Sequence, residues 1–398
     1  MNEYVKKLYA LAQREHRLII GLMSGTSMDG LDIALCRIAG SGRDTTLDIV
    51  RFDTMAYPHV FRERIREVFA KRIIDQQVLS GLHASIGRTH GALVNERLRA
   101  WEVPNGEIDL IASHGQTVFH APQSFTGNSD YPNSTLQLGD GDHLAVATGI
   151  ITISDFRQKH VAAGGEGAPL AAYGDYLLFA DERETRVLLN IGGIANFTLL
   201  PDTDHGHRCF ATDVGPGNTL MDQYMQAKLG REMDRDAVMA TAGTVNKRLL
   251  RALLNHDFFA LPFPKTTGPE LFNLQYLAEA QRATGTEKLS DNDVMATLCA
   301  FSASAIVTSI QRAAAPYGNL GVYISGGGLH NPLLVDGIKE GLNGVSVWSF
   351  SELGLLPDAK EAALFALLAN ETVAGKASNA AVMMDAPAVC MGKISFPE

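Results

Sequence analysis

The sequence predicts an α/β protein built as two related domains. Strand-like and helix-like periodicities alternate along the chain, and the pattern of strand, glycine turn, strand occurs twice, at 18–40 and again at 186–200. Length points the same way, because 398 residues exceed what one hydrophobic core usually organises.

Tyr4, Val5, Leu8 and Leu11 fall at helical spacing and predict a short amphipathic helix, so 1–17 reads as an extension ahead of the first domain. From Leu18, LIIGLMSGTSMDGLDIALCRIAG reads as two strands joined by a Gly/Ser/Thr turn. Phe61, Ile65, Val68 and Phe69 mark a helix, Val78, Leu82, Ile86 and Leu93 a second, and IDLIASHG (108–115) a strand. The polar stretch 122–133 reads as a surface loop. Across 139–168, two turn-rich clusters, GDGDH and AAGGEGAP, enclose the apolar run GIITISDF. RVLLNIGGIANFTLL (186–200) then repeats the opening pattern. Helical spacing returns at 220–229, 249–254 and 298–310, a strand GVYISGGG follows at 321–328, and a last helix covers 359–369. The expected division is a first domain of 18–170 plus 356–398 and a second of 171–355.

Composition narrows the function classes. Hydrophobic residues make up 46% and charged residues 20%, enough apolar surface for sizeable cores and too much for a disordered chain. The 34 basic and 44 acidic residues leave a net charge of −10, which argues against nucleic acid or an anionic membrane as partner while leaving room for a local small-anion pocket. Cys36, Cys209, Cys299 and Cys390 are far apart with no CxxC, so neither a disulfide framework nor a zinc site is signalled. The first residues lack the apolar core of a signal peptide and no run of about 18 apolar residues occurs, so a cytoplasmic setting is expected. Glycine, at 38 residues, stands above the usual share of roughly 7%.

Three glycine turns at predicted strand ends carry chemistry. In GLMSGTSMDGLD (21–32), glycines, hydroxyls and carboxylates suit a phosphate and its metal, but Asp-Gly equally suits a plain hairpin turn. No GK[ST] follows, so this is no Walker A loop. In ATDVGPGNTLMD (211–222), Asp213 falls at a predicted strand end before a Gly-Pro-Gly turn and a helix, the place of a general base or of a turn cap. In YISGGGLHNP (323–332), three glycines permit close approach of a ligand or of a packed helix. Together the turns suggest two domains clamping a nucleotide in the cleft between them, as in folds of the actin and sugar-kinase type. Ser113 lies in no nucleophile elbow. His114 and His120, six apart without HExxH, read better as hydrogen-bonded loop histidines than as zinc ligands. Arg157, in SDFRQKH beside Lys159 and His160, suits an acidic substrate group in a fork geometry, or plain solvation.

In order along 18–370, MSGTSMDGLD, ASHGQTVFH, ISDFR with VAAGGEGAPL, LNIGGIANFT, DVGPGNTLMD, PKTTGPELFN, SGGGLHNP and LPDAKEAALFALLA resemble the anhydro-N-acetylmuramic acid kinase family, of the actin, hexokinase and Hsp70-like ATPase superfamily. The resemblance implies a two-domain actin-like (ribonuclease H-like) ATPase fold with an interdomain active-site cleft. It also implies an ATP- and Mg²⁺-dependent reaction in which 1,6-anhydro-N-acetylmuramic acid is hydrolysed at its internal acetal and phosphorylated on O6. The product is N-acetylmuramic acid 6-phosphate, in cell-wall recycling. Residue by residue, it assigns Gly25, Thr26, Ser27, Met28, Asp29, Gly30, Leu31 and Asp32 to the ATP phosphate loop. Asp213 becomes the catalytic base, Gly326, Gly327 and Gly328 the turn near the nucleotide, and Arg157 and Glu361 residues of segments that face the sugar. Two departures stand out: Pro269 replaces an arginine common in the family, and AVMMDAPAVCMG (381–392) replaces its NLPSVTGA signature. The resemblance leaves metal ligands unassigned, and homodimer formation is compatible with the sequence. Rival readings are a plain sugar kinase that hydrolyses nothing and a nucleotide-dependent binding protein of the actin type.

Overall fold

A computed structural model describes residues 1–127, 129–202, 209–380 and 387–398. The chain divides into two compact units, Met1–Leu178 with Asp358–Glu398, and Phe179–Pro357. The break expected at 170/171 lies at 178/179, because the helix Ala171–Phe179 belongs, but for its last residue, to the first unit, where Lys360 Nζ meets Asp175 Oδ1 at 2.7 Å.

In the first unit, β1 (His16–Ser24), β2 (Gly30–Ala39), β3 (Thr46–Ala56), β4 (Leu110–Ala121), β5 (Ser134–Leu138), β6 (Thr152–Ser154) and the late β12 (Lys393–Ser395) form one sheet of order β12-β6-β4-β1-β2-β3, with β5 paired to β4. In the second, β7 (Thr185–Ile191), β8 (Ile194–Leu200), β9 (Phe210–Pro216), β10 (Leu320–Ser325) and β11 (Ser346–Ser349) run in the order β11-β10-β7-β8-β9. The two sheets share a plan. A central first strand pairs antiparallel with the second, which pairs antiparallel with the third, while the fourth and then β6 or β11 join parallel on the other side. This is the duplicated α/β architecture of an actin-like, ribonuclease H-like chain.

Alternation of buried apolar residues explains the strands. Ile33, Leu35 and Ile20, Leu22 enter the first core with Ile86, Val94 and Leu98 of the helix Gln76–Ala100, which Asp75 caps by accepting from the amides of Gln77 and Val78. Leu11, on the N-terminal helix Glu3–Ala12, is fully buried. In the second unit Val187, Leu189, Phe197 and Val214 pack with the helix Asp291–Ala314. That helix is long and apolar enough to cross a membrane, yet 78% of its most apolar stretch is buried, as befits the spine of a core.

Several elements depart from expectation. GDGDH is no turn cluster: Asp140 caps the helix Gly141–Thr148, accepting from the amides of Asp142 and His143. The apolar run after it holds only the short β6 before the helix Phe156–Ala162. The loop 122–133 contains one helical turn, Gln123–Thr126, and the helix that holds Phe61 and Ile65, His59–Arg66, ends before Val68 and Phe69. Of the divergent segment 381–392, residues 381–386 lie outside the described residues.

Candidate functional site

Both units gather their polar equipment at the carboxyl ends of the parallel strands, where open α/β sheets bind ligands. In the first unit this edge carries the turn 25–29 after β1, His114 to Gln116 on β4, Arg157 after β6, and the start of the helix Lys360–Ala374. In the second it carries Gly192 and Gly193 after β7, Gly217 and Asn218 after β9, and Gly326 to Gly328 after β10.

The turn Gly25–Asp29 is a hairpin connection and also an accessible polar surface. Thr26, Ser27 and Asp29 are exposed, while Met28 (φ 56°) and Leu31 turn inward. The Ser27 hydroxyl donates to Asp29 Oδ1 at 2.8 Å, and Thr54 Oγ1 to Asp32 Oδ1 at 2.6 Å. Burial, with the charges of Asp29 and Asp358, raises the Asp32 carboxyl above its usual range against that hydrogen bond. Glu361 opens the helix Lys360–Ala374 and keeps contact with solvent, yet it lies deep enough among protein atoms for desolvation to lead in raising its carboxyl, followed by Asp32; Lys360 and Arg157 oppose the rise. Asp32, Glu361 and Arg157 therefore share one electrostatic neighbourhood.

Arg157 is held by fixed partners and is no solvated surface arginine. Its Nε donates to His114 Nε2 at 3.0 Å and its Nη1 to the Gly167 carbonyl at 2.8 Å. His114 Nδ1 lies 2.8 Å from the Gly115 carbonyl, which can only accept, so the proton sits on Nδ1 and Nε2 is the acceptor. Burial and the neighbouring guanidinium lower the His114 pKa to about 3, keeping the ring neutral. His114 is thus a hydrogen-bonded histidine, as its sequence context suggests. His160 takes a similar part, its Nδ1 accepting from the Gly167 amide at 2.9 Å.

In the second unit Asp213 lies in the middle of β9, not at its end, beside a bulge that places Asn196 opposite Asp213 and Ala195 opposite Gly215. Its backbone amide donates to the Lys265 carbonyl and its Oδ2 accepts from the Thr267 amide, both at 2.9 Å. Its Oδ1 has no hydrogen-bond partner among the described residues. Burial, then the charge of Glu270, raise its carboxyl, and the Thr267 amide opposes them. The segment that positions it is PKTTGPE. Lys265 is anchored there by its amide to Thr212 Oγ1 at 3.0 Å and by Nζ to the Phe258 carbonyl at 2.9 Å, with Nζ 4.2 Å from the Phe258 ring centroid. Burial and Arg312 lower its pKa to about 8. Pro269, the departure from the family pattern, is exposed beyond this anchor.

The glycines separate into two kinds. A Cβ at Gly328 would overlap the Ile191 side chain, one at Gly326 (φ 84°) would come 2.8 Å from the Ile191 carbonyl, and one at Gly30 would come 2.7 Å from that of Met55. The fold itself needs these three. At Gly25, Gly192, Gly193 and Gly327 a Cβ would meet nothing nearer than 3.5 Å, and none has a left-handed φ, so neither packing nor backbone conformation demands glycine there. Each leaves open space beside its backbone.

Sequence reasoning missed Ser24, Tyr57, His90 and Gln116 beneath the first turn, and Thr212, Lys265 and Thr267 beside Asp213. ASHGQTVFH and PKTTGPELFN contain three of the seven, but only the fold shows that their partners come from other segments. Among the described residues no three His, Cys, Asp or Glu side chains gather as a metal cage. Mg²⁺ bound through phosphates asks for only one or two carboxylates, and Asp29 and Asp32 are of that kind.

Comparison with known proteins adds an independent line. The family model described as anhydro-N-acetylmuramic acid kinase matches residues 17–396. A curated relative from Pseudoalteromonas atlantica, named anhydro-N-acetylmuramic acid kinase, is 52% identical over 401 aligned residues covering the whole of both chains. A relative of the same name from Pseudoalteromonas translucida is 48% identical over the whole of both chains. Another so named, from Caldanaerobacter subterraneus, is 37% identical over 98% of this chain and all of its own.

Proposed function

The chain belongs to the anhydro-N-acetylmuramic acid kinase family, and on that premise we propose that Asp213 is the base of its reaction. It is a phosphotransferase that opens 1,6-anhydro-N-acetylmuramic acid and phosphorylates O6, a step of amino-sugar recycling. The observation that carries the assignment of Asp213 is its half-satisfied carboxylate. Oδ2 is committed to the Thr267 amide while Oδ1 has no hydrogen-bond partner among the described residues, so the group is oriented and retains a basic lone pair. Its raised pKa makes it a stronger base than a free aspartate.

The chemistry balances with one carboxylate. Asp213 Oδ1 takes a proton from a water, whose oxygen forms a bond to C1 as the C1–O6 bond breaks with inversion. An ordinary inverting glycosidase needs a second carboxylic acid to protonate the leaving oxygen. Here the O6 electron pair passes to the γ-phosphorus of ATP, with ADP leaving, so no second acid is required. Mg²⁺ would supply charge neutralisation at the phosphates. The accessible turn Gly25–Asp32 would hold phosphates in the first unit, and in the second unit the open backbone at Gly192, Gly193 and Gly327, with Gly326 and Gly328 shaping the turn, would admit the nucleotide. Arg157 keeps Nη2 without a hydrogen-bond partner among the described residues and would bind the lactyl carboxylate of the sugar, with Glu361 accepting from sugar hydroxyls. An ATP-consuming reaction fits a cytoplasmic setting.

Two measurements test this. Reaction in ¹⁸O-water should place label at C1 of the phosphorylated product, and an unlabelled product would leave only a plain sugar kinase. Asp213→Asn should lower kcat by about 10²–10⁴ while ADP affinity and melting temperature hold; normal turnover would remove Asp213 as the base.

A further inference from the structure

The hydrogen bonds beneath the turn between β1 and β2 run in one direction. The Gly25 carbonyl can only accept, so the Gln116 amide donates its Nε2 to it, at 3.0 Å. That orientation leaves Gln116 Oε1 to accept the Ser24 hydroxyl proton at 2.6 Å. With its own proton committed, Ser24 Oγ accepts from the Tyr57 hydroxyl at 3.0 Å, and the Tyr57 oxygen accepts from His90 Nε2–H at 2.7 Å. One chain of donors thus runs His90, Tyr57, Ser24, Gln116, Gly25. All four side chains are buried, Gln116 completely. Burial lowers the His90 pKa to about 4, so the ring is neutral in the Nε2–H tautomer the chain requires, and its Nδ1 has no hydrogen-bond partner among the described residues.

The end of this chain fixes a backbone orientation. In a trans peptide the carbonyl and the following N–H point in opposite directions. The Gly25 carbonyl is drawn inward by Gln116 and also accepts from the Met28 amide at 3.3 Å. The Thr26 amide therefore faces outward, at a residue that is exposed and takes no part in the β1–β2 pairing.

We propose that Gln116 is a positioning residue for nucleotide binding: aligned through Ser24, Tyr57 and His90, it holds the Gly25–Thr26 peptide so that the Thr26 N–H is presented to a phosphate. This rests on the reading of Gly25–Asp32 as the phosphate loop. A preorganised N–H costs no reorganisation when the anion arrives, which is what makes such donors effective.

The test compares Gln116→Glu and Gln116→Met in the full-length enzyme with Gly25→Val. Gln116→Glu keeps the acceptor for Ser24 but sets a carboxylate oxygen against the Gly25 carbonyl, and Gln116→Met removes both bonds at similar volume. Both should raise KM for ATP and Kd for ADP roughly tenfold, the worth of about one hydrogen bond, with Gln116→Glu the worse, while KM for the anhydro sugar stays within twofold. Equal rises in both KM values accompanied by a fall in melting temperature would make Gln116 a purely structural residue and overturn the proposal. Unchanged ADP affinity in Gln116→Glu, with Gly25→Val weakened, would overturn it alone. Unchanged affinity in Gly25→Val would instead sink the reading of the loop.

Discussion

Asp213 shows what one residue's surroundings decide. Its type and its neighbours in DVGPGNTLMD make it a candidate base in the sequence, but its setting comes from burial, which leads in raising its carboxyl, and from Glu270 and the Thr267 amide, more than fifty residues further on. No local pattern could show that pairing, because it depends on where the loop after Pro264 crosses β9. The sign of its pH dependence follows. With Asp213 as the proposed base, its deprotonated carboxylate would be the active form, so activity should fall as pH drops through its pKa, which burial raises. Glu270→Gln removes a negative neighbour, so the acid limb of kcat/KM should move to lower pH; an unmoved limb would show that Asp213 does not govern it. Arg157 illustrates the same point. The sequence left fork and solvated surface open, and the His114 and Gly167 anchors decide for a held guanidinium.

At the level of elements, the hairpins were legible because each combines two apolar strands with a glycine turn, and the long helices because their apolar spacing is regular. The helix Gly141–Thr148 was not, since its cap, GDGDH, has the composition of a turn. β3, β5, β11 and β12 went unread: β3 is partly exposed along its length, without a clear alternation, and β11 and β12 are only four and three residues long. The glycine run after β10 was legible as a motif but not as two kinds of glycine. Gly328→Ala should cost about 1–3 kcal/mol in chemical denaturation, since its methyl overlaps Ile191. Gly327→Ala should stay within about 0.5 kcal/mol of the parent yet weaken ADP binding. A reversed order in the two denaturation midpoints would refute this division.

For the whole molecule, the duplicated plan was visible as two repeats of one pattern, whereas the position of the break was not, because it depends on what the helix Ala171–Phe179 packs against. The first unit is drawn together by Arg17, 2% exposed, which donates from Nε to Asn370 Oδ1 at 2.5 Å and from its two Nη atoms to the carbonyls of Arg14 (2.6 Å) and Gly40 (2.7 Å). Arg17→Met would leave the buried Asn370 Oδ1 without this donor and remove the charge-assisted bonds to the Arg14 and Gly40 carbonyls, at a cost of about 3 kcal/mol; a urea midpoint equal to the parent's would show the clamp to be idle. Asn370 belongs to the helix Lys360–Ala374, which lies so close over β1 that Gly21 has no room for a side chain against Ala362. A growing chain meets a consequence of this arrangement. The polypeptide leaves the ribosome amino end first, so the sheet begun by β1 must wait, one face uncovered, while all of Phe179–Pro357 is made and folds as its own unit. During that interval the nascent first unit keeps apolar strands uncovered, until the helix Lys360–Ala374 is made and closes over β1.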